Sequence, residues 1–370
     1  MAQYNILVVD DSVFMRRIIS DLISENPQYN IIGTAKNGQE AIEQVKLLRP
    51  DAVTMDVEMP VMNGLDALQR IMAEQPTPVI MLSSLTEAGA AETIKALEWG
   101  AVDFIRKPSG SISLDLYKVK QLLHEKLQMA VRTKLRSFQP IGQPPLLTKR
   151  NQAPLARNKT GLFRQPDVPK TITEGSMHFD HLVGIGTSTG GPRALHQVIS
   201  NIPAGFPAPI LIVQHMPPNF TKSLAQRLND VSQIQVVEAA EGDVLKTATA
   251  YVAPGGWHMI VHKEANRTYK IRLTKDEPRS GHRPSVDVMF ESLLCLSELK
   301  RHVVLMTGMG SDGARGMLSL RQSGIQTTIA ESEETCVVYG MPRAAVEMQA
   351  AMHVLPQHNI AARLAQCVLP

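Results

Sequence analysis

Two groups of residues in this chain have the types and spacing that chemistry requires. The first is acidic. Asp10 and Asp11 follow one short apolar run, Ile6 to Val9, and Asp56 follows another, Ala52 to Met55. Converging carboxylates repel one another unless a cation neutralises them, which points to a hard-cation site of the Mg2+ type. Ser83 and Lys107 end two further apolar runs. A hydroxyl and an ammonium at the same rim supply the hydrogen-bond donor and the counter-charge that a phosphoryl group on a carboxylate needs. Each residue alone reads as an ordinary strand-end polar group; the five together do not.

The second group is built around a serine. Leu182 to Ile185 leads into Gly186-Thr187-Ser188-Thr189-Gly190-Gly191-Pro192, and Gly186-x-Ser188-x-Gly190 has the spacing of a nucleophile elbow. Pro192 suits the first turn of a helix. The same Gly-rich turn also fits a phosphate cradle or a tight turn with no chemistry. Ile210 to Val213 then delivers Gln214-His215-Met216-Pro217, and Val303 to Met306 delivers Thr307-Gly308-Met309-Gly310-Ser311-Asp312-Gly313. Three strand ends thus present Ser188, His215 and Asp312, the set that deprotonates a hydroxyl and stabilises the resulting imidazolium. A phosphate cradle leaves His215 and Asp312 unexplained. His282, Arg283, Ser285 and Asp287 form a weaker second set, because no Gly-rich elbow presents Ser285; they read as substrate contact or structural support.

These side chains need elements to carry them. Through residue 131, short β-branched runs (Ile6 to Val9, Ile31 with Ile32, Ala52 to Met55, Val79 to Leu82, Val102 to Ile105) alternate with stretches bearing apolar residues at three- and four-residue spacing. Five βα units follow, which implies a parallel sheet covered by helices on both faces. In such sheets chemistry sits at the carboxyl ends of the strands, where the acids fall. A second α/β alternation begins at His178. The fold class is therefore α/β, with two doubly wound parallel-sheet domains.

Between Arg132 and Lys170 the periodicity fades and six prolines punctuate the chain, which marks a linker. The net charge of +3 divides unevenly: residues 1 to 131 carry −5, residues 132 to 170 carry +8, and residues 171 to 370 are neutral. The basic character belongs to the tether, read as a solvated spacer, with docking to an acidic partner the minority reading. The neutral C-terminal part shows no recognition-helix pattern, so nucleic-acid binding is not expected. Cys295, Cys336 and Cys367 are too far apart for a metal-ligand set and odd in number, which suits a reducing compartment. No signal-peptide pattern opens the chain, and no apolar run approaches the roughly 18 residues of a membrane span. A cytoplasmic protein without direct membrane insertion is expected.

Asp10-Asp11, Asp56 within Val-Thr-Met-Asp-Val-Glu-Met-Pro, Asn63-Gly64, Ser83 and Lys107-Pro108 resemble the receiver domain of two-component response regulators, over residues 1 to 125. The resemblance implies a flavodoxin-like fold, phosphorylation of Asp56 by a chemotaxis histidine kinase, Mg2+ held by Asp10, Asp11 and Asp56, and signalling through Ser83 and Lys107. Receivers commonly carry an aromatic one or two positions before the lysine; here Phe104 is three before it, and no aromatic is assigned a switch role.

The order Ser, His, Asp differs from the Ser, Asp, His order of α/β-hydrolases, which argues against that fold. Residues 177 to 370 instead resemble the catalytic domain of chemotaxis protein-glutamate methylesterases. Gly186 to Gly191, Gln214 to Pro217, Ala253-Pro254-Gly255 and Thr307 to Ala314 carry the likeness. It implies an α/β serine hydrolase that removes methyl esters from glutamate side chains of methyl-accepting chemoreceptors and deamidates receptor glutamines, with no cofactor for the ester chemistry. Ser188 is expected to attack, His215 to move the proton, Asp312 to orient His215, and backbone amides including that of Met309 to receive the oxyanion. Residues 126 to 176 would be the tether through which an unphosphorylated receiver inhibits the enzyme. The competing expectation is a response regulator whose output domain binds a nucleotide or a partner without catalysis.

Overall fold

The computed structural model describes residues 3–84, 86–107, 113–133, 175–264 and 267–369. Pro108 and residues 134–174 of the basic segment lie outside the described residues.

The N-terminal part alternates β1 (Tyr4–Val9), α1 (Val13–Ser24), β2 (Tyr29–Ala35), α2 (Gly38–Leu48), β3 (Ala52–Asp56), α3 (Gly64–Glu74), β4 (Val79–Ser83), α4 (Glu87–Glu98), β5 (Asp103–Arg106) and α5 (Ser113–Ala130). The helices start where polar side chains close the first turn: Ser12, Asn37, Asn63 and Thr86 each accept a backbone N–H three residues on. Buried Val, Ile, Leu and Met side chains fill both faces of the sheet, which is why its strands read as continuous apolar runs. The five parallel strands are ordered β2-β1-β3-β4-β5. Strand order reverses between β1 and β3, so the ends carrying Asp10 and Asp56 flank the crevice that such sheets use for ligands. Helix α5 continues to Ala130, so residue 125 falls inside it.

The C-terminal part contains β6 (His181–Thr187), α6 (Gly191–Ile199), β7 (Ile210–Gln214), α7 (Phe220–Val231), β8 (Gln235–Glu238), β9 (Thr249–Val252), β10 (His258–Lys263), β11 (Tyr269–Thr274), α8 (Val286–Ser292), β12 (Lys300–Leu305), α9 (Ala314–Gln322), β13 (Thr327–Glu331), α10 (Met341–Glu347), β14 (His353–Leu355) and α11 (Gln357–Val368). Seven parallel strands are ordered β14-β13-β12-β6-β7-β9-β8, and β10 and β11 form a separate antiparallel hairpin. Here the order reverses between β6 and β12, and β6, β12 and the neighbouring β7 are the strands whose ends lead to Ser188, Asp312 and His215. Helices α6 and α9 begin at Gly190 and Gly313, both at positive φ and without a side-chain cap. The first amides, of Gly191 and Ala314, donate instead to the carbonyls of Ser188 and Ser311, and in α9 the Gly316 amide is taken by Asp287 Oδ1 at 2.7 Å.

The two parts pack together. Helix α4 lies against α6 and α7. Phe104 stacks on Phe220 with ring centroids 4.5 Å apart, and Glu98 accepts both oxygens' worth of bonds from Arg227 Nε at 3.0 Å.

Candidate functional site

At the edge of the first sheet, Asp10 and Asp56 are buried and Asp11 is exposed, with ligand oxygens all within 4.8 Å of one another. Lys107 Nζ lies 2.8 Å from Asp10 Oδ2 and 2.7 Å from Asp56 Oδ2. Burial pushes the Asp56 carboxyl up to about 6, with Lys107 opposing and Asp10 adding to the rise. Three converging oxygen donors, one open to solvent, fit a hard divalent cation. Ser83 does not join this cluster. Its hydroxyl donates to the carbonyls of Ser84 and Gly89 and accepts from Thr93 Oγ1 at 2.7 Å, so it faces the start of α4.

The second site is assembled from three strand ends. Asp312 is buried and its carboxylate is fully engaged: Oδ2 accepts from His215 Nε2 and from the Val286 amide, both at 2.7 Å, while Oδ1 accepts from Ser285 Oγ at 2.9 Å and the Asp287 amide at 3.1 Å. Burial raises its pKa, but the His215 bond and the two amides outweigh burial and hold the carboxyl down at about 2. The other ring nitrogen of His215, Nδ1, is buried and has no hydrogen-bond partner among the described residues. Ser188, 9% exposed, shares a pocket of about 490 Å³ with His215, His282 and Met309. The imidazole of His282 stacks on that of His215 at 3.7 Å, and burial lowers its pKa to about 4, which keeps it neutral beside its neighbour.

The turn that presents Ser188 is tied down by residues to which the sequence analysis assigned no role. Gln214 accepts from Thr187 Oγ1 at 2.6 Å and donates through Nε2 to the carbonyls of Ser188 and His215. Thr307 accepts the Ser188 amide at 3.0 Å through its carbonyl. A side chain at Gly191 would sit 1.9 Å from Gln214 Oε1, and one at Gly308 2.7 Å from Ser188 Cβ, so both turns depend on glycine for their closeness. The amides of Thr189 and Met309 donate to no acceptor among the described residues. Gln214 and Thr307 adjoin the residues first singled out, which is the signal that could have found them.

Of the weaker second set, Ser285 caps α8 by accepting the Val288 amide while its hydroxyl supports Asp312, and Asp287 accepts the Gly316 amide at 2.7 Å. Both are structural supports, while His282 and Arg283 line the pocket.

One wall of that pocket comes from the N-terminal domain. Asp103 at the start of β5 accepts Thr189 Oγ1 at 2.7 Å and pairs with Lys126 Nζ at 2.7 Å, next to the residue that follows Ser188. Phe104, Lys126 and Met129 line the same opening. Phe104 thus serves the contact between domains, a use the sequence analysis did not assign.

Fold and sites together define a receiver domain coupled to a parallel-sheet α/β hydrolase domain. Residues 6–116 match the family model of the response regulator receiver domain, and residues 183–364 match that of the CheB methylesterase. A protein-glutamate methylesterase/protein-glutamine glutaminase of Geobacillus kaustophilus is 48% identical over 368 residues, covering 100% of this chain and 99% of the relative. A protein of the same description from Halalkalibacterium halodurans is 47% identical over 346 residues, covering 94% and 93%. The crystal structure of the Thermotoga maritima CheB methylesterase catalytic domain is 43% identical and covers 50% of this chain and 98% of that one, with a TM-score of 0.49. The chain belongs to the protein-glutamate methylesterase/protein-glutamine glutaminase family. Among the described residues no helix is long and apolar enough to cross a membrane.

Proposed function

We propose that this chain is a cytoplasmic, phosphorylation-activated esterase that hydrolyses methyl esters on glutamate side chains of methyl-accepting chemoreceptors and deamidates receptor glutamines, resetting chemosensory adaptation. The 2.7 Å bond between His215 and the buried, ionised Asp312, in the pocket that holds Ser188, carries the reading.

Ser188 Oγ attacks the ester carbonyl while His215 takes its proton through Nδ1, the nitrogen that Asp312 leaves free. Asp312 fixes the ring and offsets its positive charge. The tetrahedral oxyanion is received by unpaired backbone amides at the two Gly-rich turns, Met309 among them. His215 returns the proton to the departing methanol, and water resolves the acyl-enzyme by the reverse sequence. On glutamine the leaving group is ammonia.

Control resides in the receiver. Asp56 accepts a phosphoryl group from a chemotaxis histidine kinase, with Mg2+ held by Asp10, Asp11 and Asp56, and Lys107 and Ser83 pass on the change. The cation would supply charge neutralisation for phosphoryl transfer, beyond the single positive charge that Lys107 shares between Asp10 and Asp56. The unphosphorylated receiver, whose Asp103 bonds Thr189 beside the nucleophile, restricts access to the pocket. Residues 1–125 act as receiver, 126–176 as the junction and tether, and 177–370 as the catalytic domain.

The experiment is methanol release from methylated chemoreceptor, with and without a small phosphodonor and Mg2+. Ser188→Ala abolishes release while Asp56 is still phosphorylated; esterase activity surviving in that variant overturns the assignment.

A further inference from the structure

Glu331, the last residue of β13, is fully buried, and no cation pairs with it among the described residues. A carboxyl without a counter-charge is among the most costly groups a core can hold, so its retention calls for a task. Its oxygens show one. Oε2 accepts the Thr307 amide at 2.8 Å and Oε1 accepts Thr335 Oγ1 at 2.8 Å.

Thr307 joins the two Gly-rich turns of the active site, and each of its polar groups is engaged. Its carbonyl accepts the Ser188 amide at 3.0 Å. Its hydroxyl donates to the Thr189 carbonyl at 2.9 Å and accepts the Val338 amide at 3.0 Å. The next residue, Gly308, lies so close to Ser188 that an added Cβ would be 2.7 Å from the serine Cβ. Beyond it comes Met309, whose amide faces no acceptor among the described residues. The amide of Thr307 sits where the nucleophile turn and the Met309 turn meet; Gln214 also holds the Ser188 carbonyl and Val338 the Gly308 amide, and Glu331 is the side chain that holds the Thr307 amide.

We propose that Glu331 is a positioning residue for ester hydrolysis: its carboxyl clamps the Thr307 amide and so keeps Ser188 and the Met309 amide in register. This rests on the reading of Ser188 as nucleophile and Met309 as oxyanion donor. Burial pushes the carboxyl up to about 7 against the opposing pull of the Thr307 and Thr335 bonds. Both protonation forms keep Oε2 as an acceptor for Thr307, and the Thr335 hydroxyl can turn to accept from a protonated Oε1. What the turn requires is an acceptor at this reach rather than a charge. Glutamine supplies it; aspartate, one methylene shorter, does not.

The test is steady-state hydrolysis of methylated receptor by the full chain in the presence of phosphodonor. Glu331→Gln keeps kcat within about threefold, whereas Glu331→Asp and Glu331→Leu, which leave the Thr307 amide unpaired in the interior, lower kcat by about tenfold to a hundredfold. KM stays within about twofold in all three, since the loss falls on the transition state. Phosphorylation of Asp56 is unchanged. If the leucine variant does not fold, the aspartate variant decides. A folded aspartate or leucine variant within threefold of the wild-type kcat overturns the proposal, as does a glutamine variant that loses as much as aspartate. A wild-type chain that releases no methanol, or an active Ser188→Ala, removes the nucleophile reading and this inference with it; a normal wild type with unaffected Glu331 variants removes this inference alone.

Discussion

The contact between α4 and α7 allows the inhibitory role of the receiver to be tested without touching either site. Glu98 is 4% exposed and its carboxylate is gripped by Arg227 Nε and Nη2 at 3.0 Å, while Arg227 is 36% exposed. Arg227→Ala leaves the carboxylate buried and unpaired whenever the domains are docked, and hydrated whenever they part. Removing one partner of a fully buried pair costs about 3–5 kcal/mol. With the arginine a third exposed, solvent already screens part of the attraction, so about 2 kcal/mol is appropriate. That shifts the open-to-closed equilibrium by about 30-fold. Phe104 on Phe220 and Asp103 with Thr189 remain, so docking is weakened and not abolished. Methanol release by the unphosphorylated full chain should rise by about 10- to 30-fold, or to the phosphorylated rate if that ceiling is lower. The phosphorylated rate should not change. Glu98→Ala combined with Arg227→Ala removes the stranded charge and should fall back towards the wild-type basal rate. Unchanged basal activity in a folded Arg227→Ala chain, or a double variant more active than the single, would refute the argument.

Three further outcomes are expected. Asp312→Asn removes the charge that stabilises the imidazolium and should lower kcat by about 10³- to 10⁴-fold with Asp56 phosphorylation intact; a loss under tenfold contradicts the role given to Asp312. Asp56, raised to about 6 from the usual 3.8, carries a penalty when ionised in the fold that is fully present above pH 6 and is relieved as pH falls towards 3.8. Asp56→Asn should therefore stabilise the receiver by about 2 kcal/mol at pH 7 without Mg2+, read as a higher Tm, and a lower Tm would contradict it. His302, stacked on His181, is pulled down to about 4 by burial, so it stays neutral in the fold and protonates on unfolding below about 6.5. Relative to a His302→Gln variant, the wild type should lose about 2 kcal/mol of stability between pH 7 and pH 5 in urea titrations; parallel pH profiles would show that His302 contributes nothing.

Much of the architecture was legible because its signals are local. Apolar runs and three- and four-residue spacing lie within about a dozen residues of one another, and they mark β1 to β5 and the helices between them, α4 only in its second half, from Thr93. The acids and the serine also announced themselves, because they stand at the ends of those runs. Arg227 and Glu98, 129 residues apart, carried no such mark. Neither did Asp103, which reads as the start of an unremarkable strand yet meets Thr189 across 86 residues.

The sequence by itself determined the two α/β units, their separation by a basic segment, and the strand ends at which Asp10, Asp56, Ser188, His215 and Asp312 stand. Only the tertiary structure decided which of these ends converge, because convergence follows from strand order, and the order β13-β12-β6-β7 joins segments that periodicity treats alike. It turned Ser83 towards Thr93 instead of the carboxylates, made Ser285 a support for Asp312, and put the acid Glu331 beneath Thr307 at the end of a strand that reads as core. A side chain's neighbours within a turn are set by backbone geometry, whereas its neighbours across a sheet are set by the whole fold.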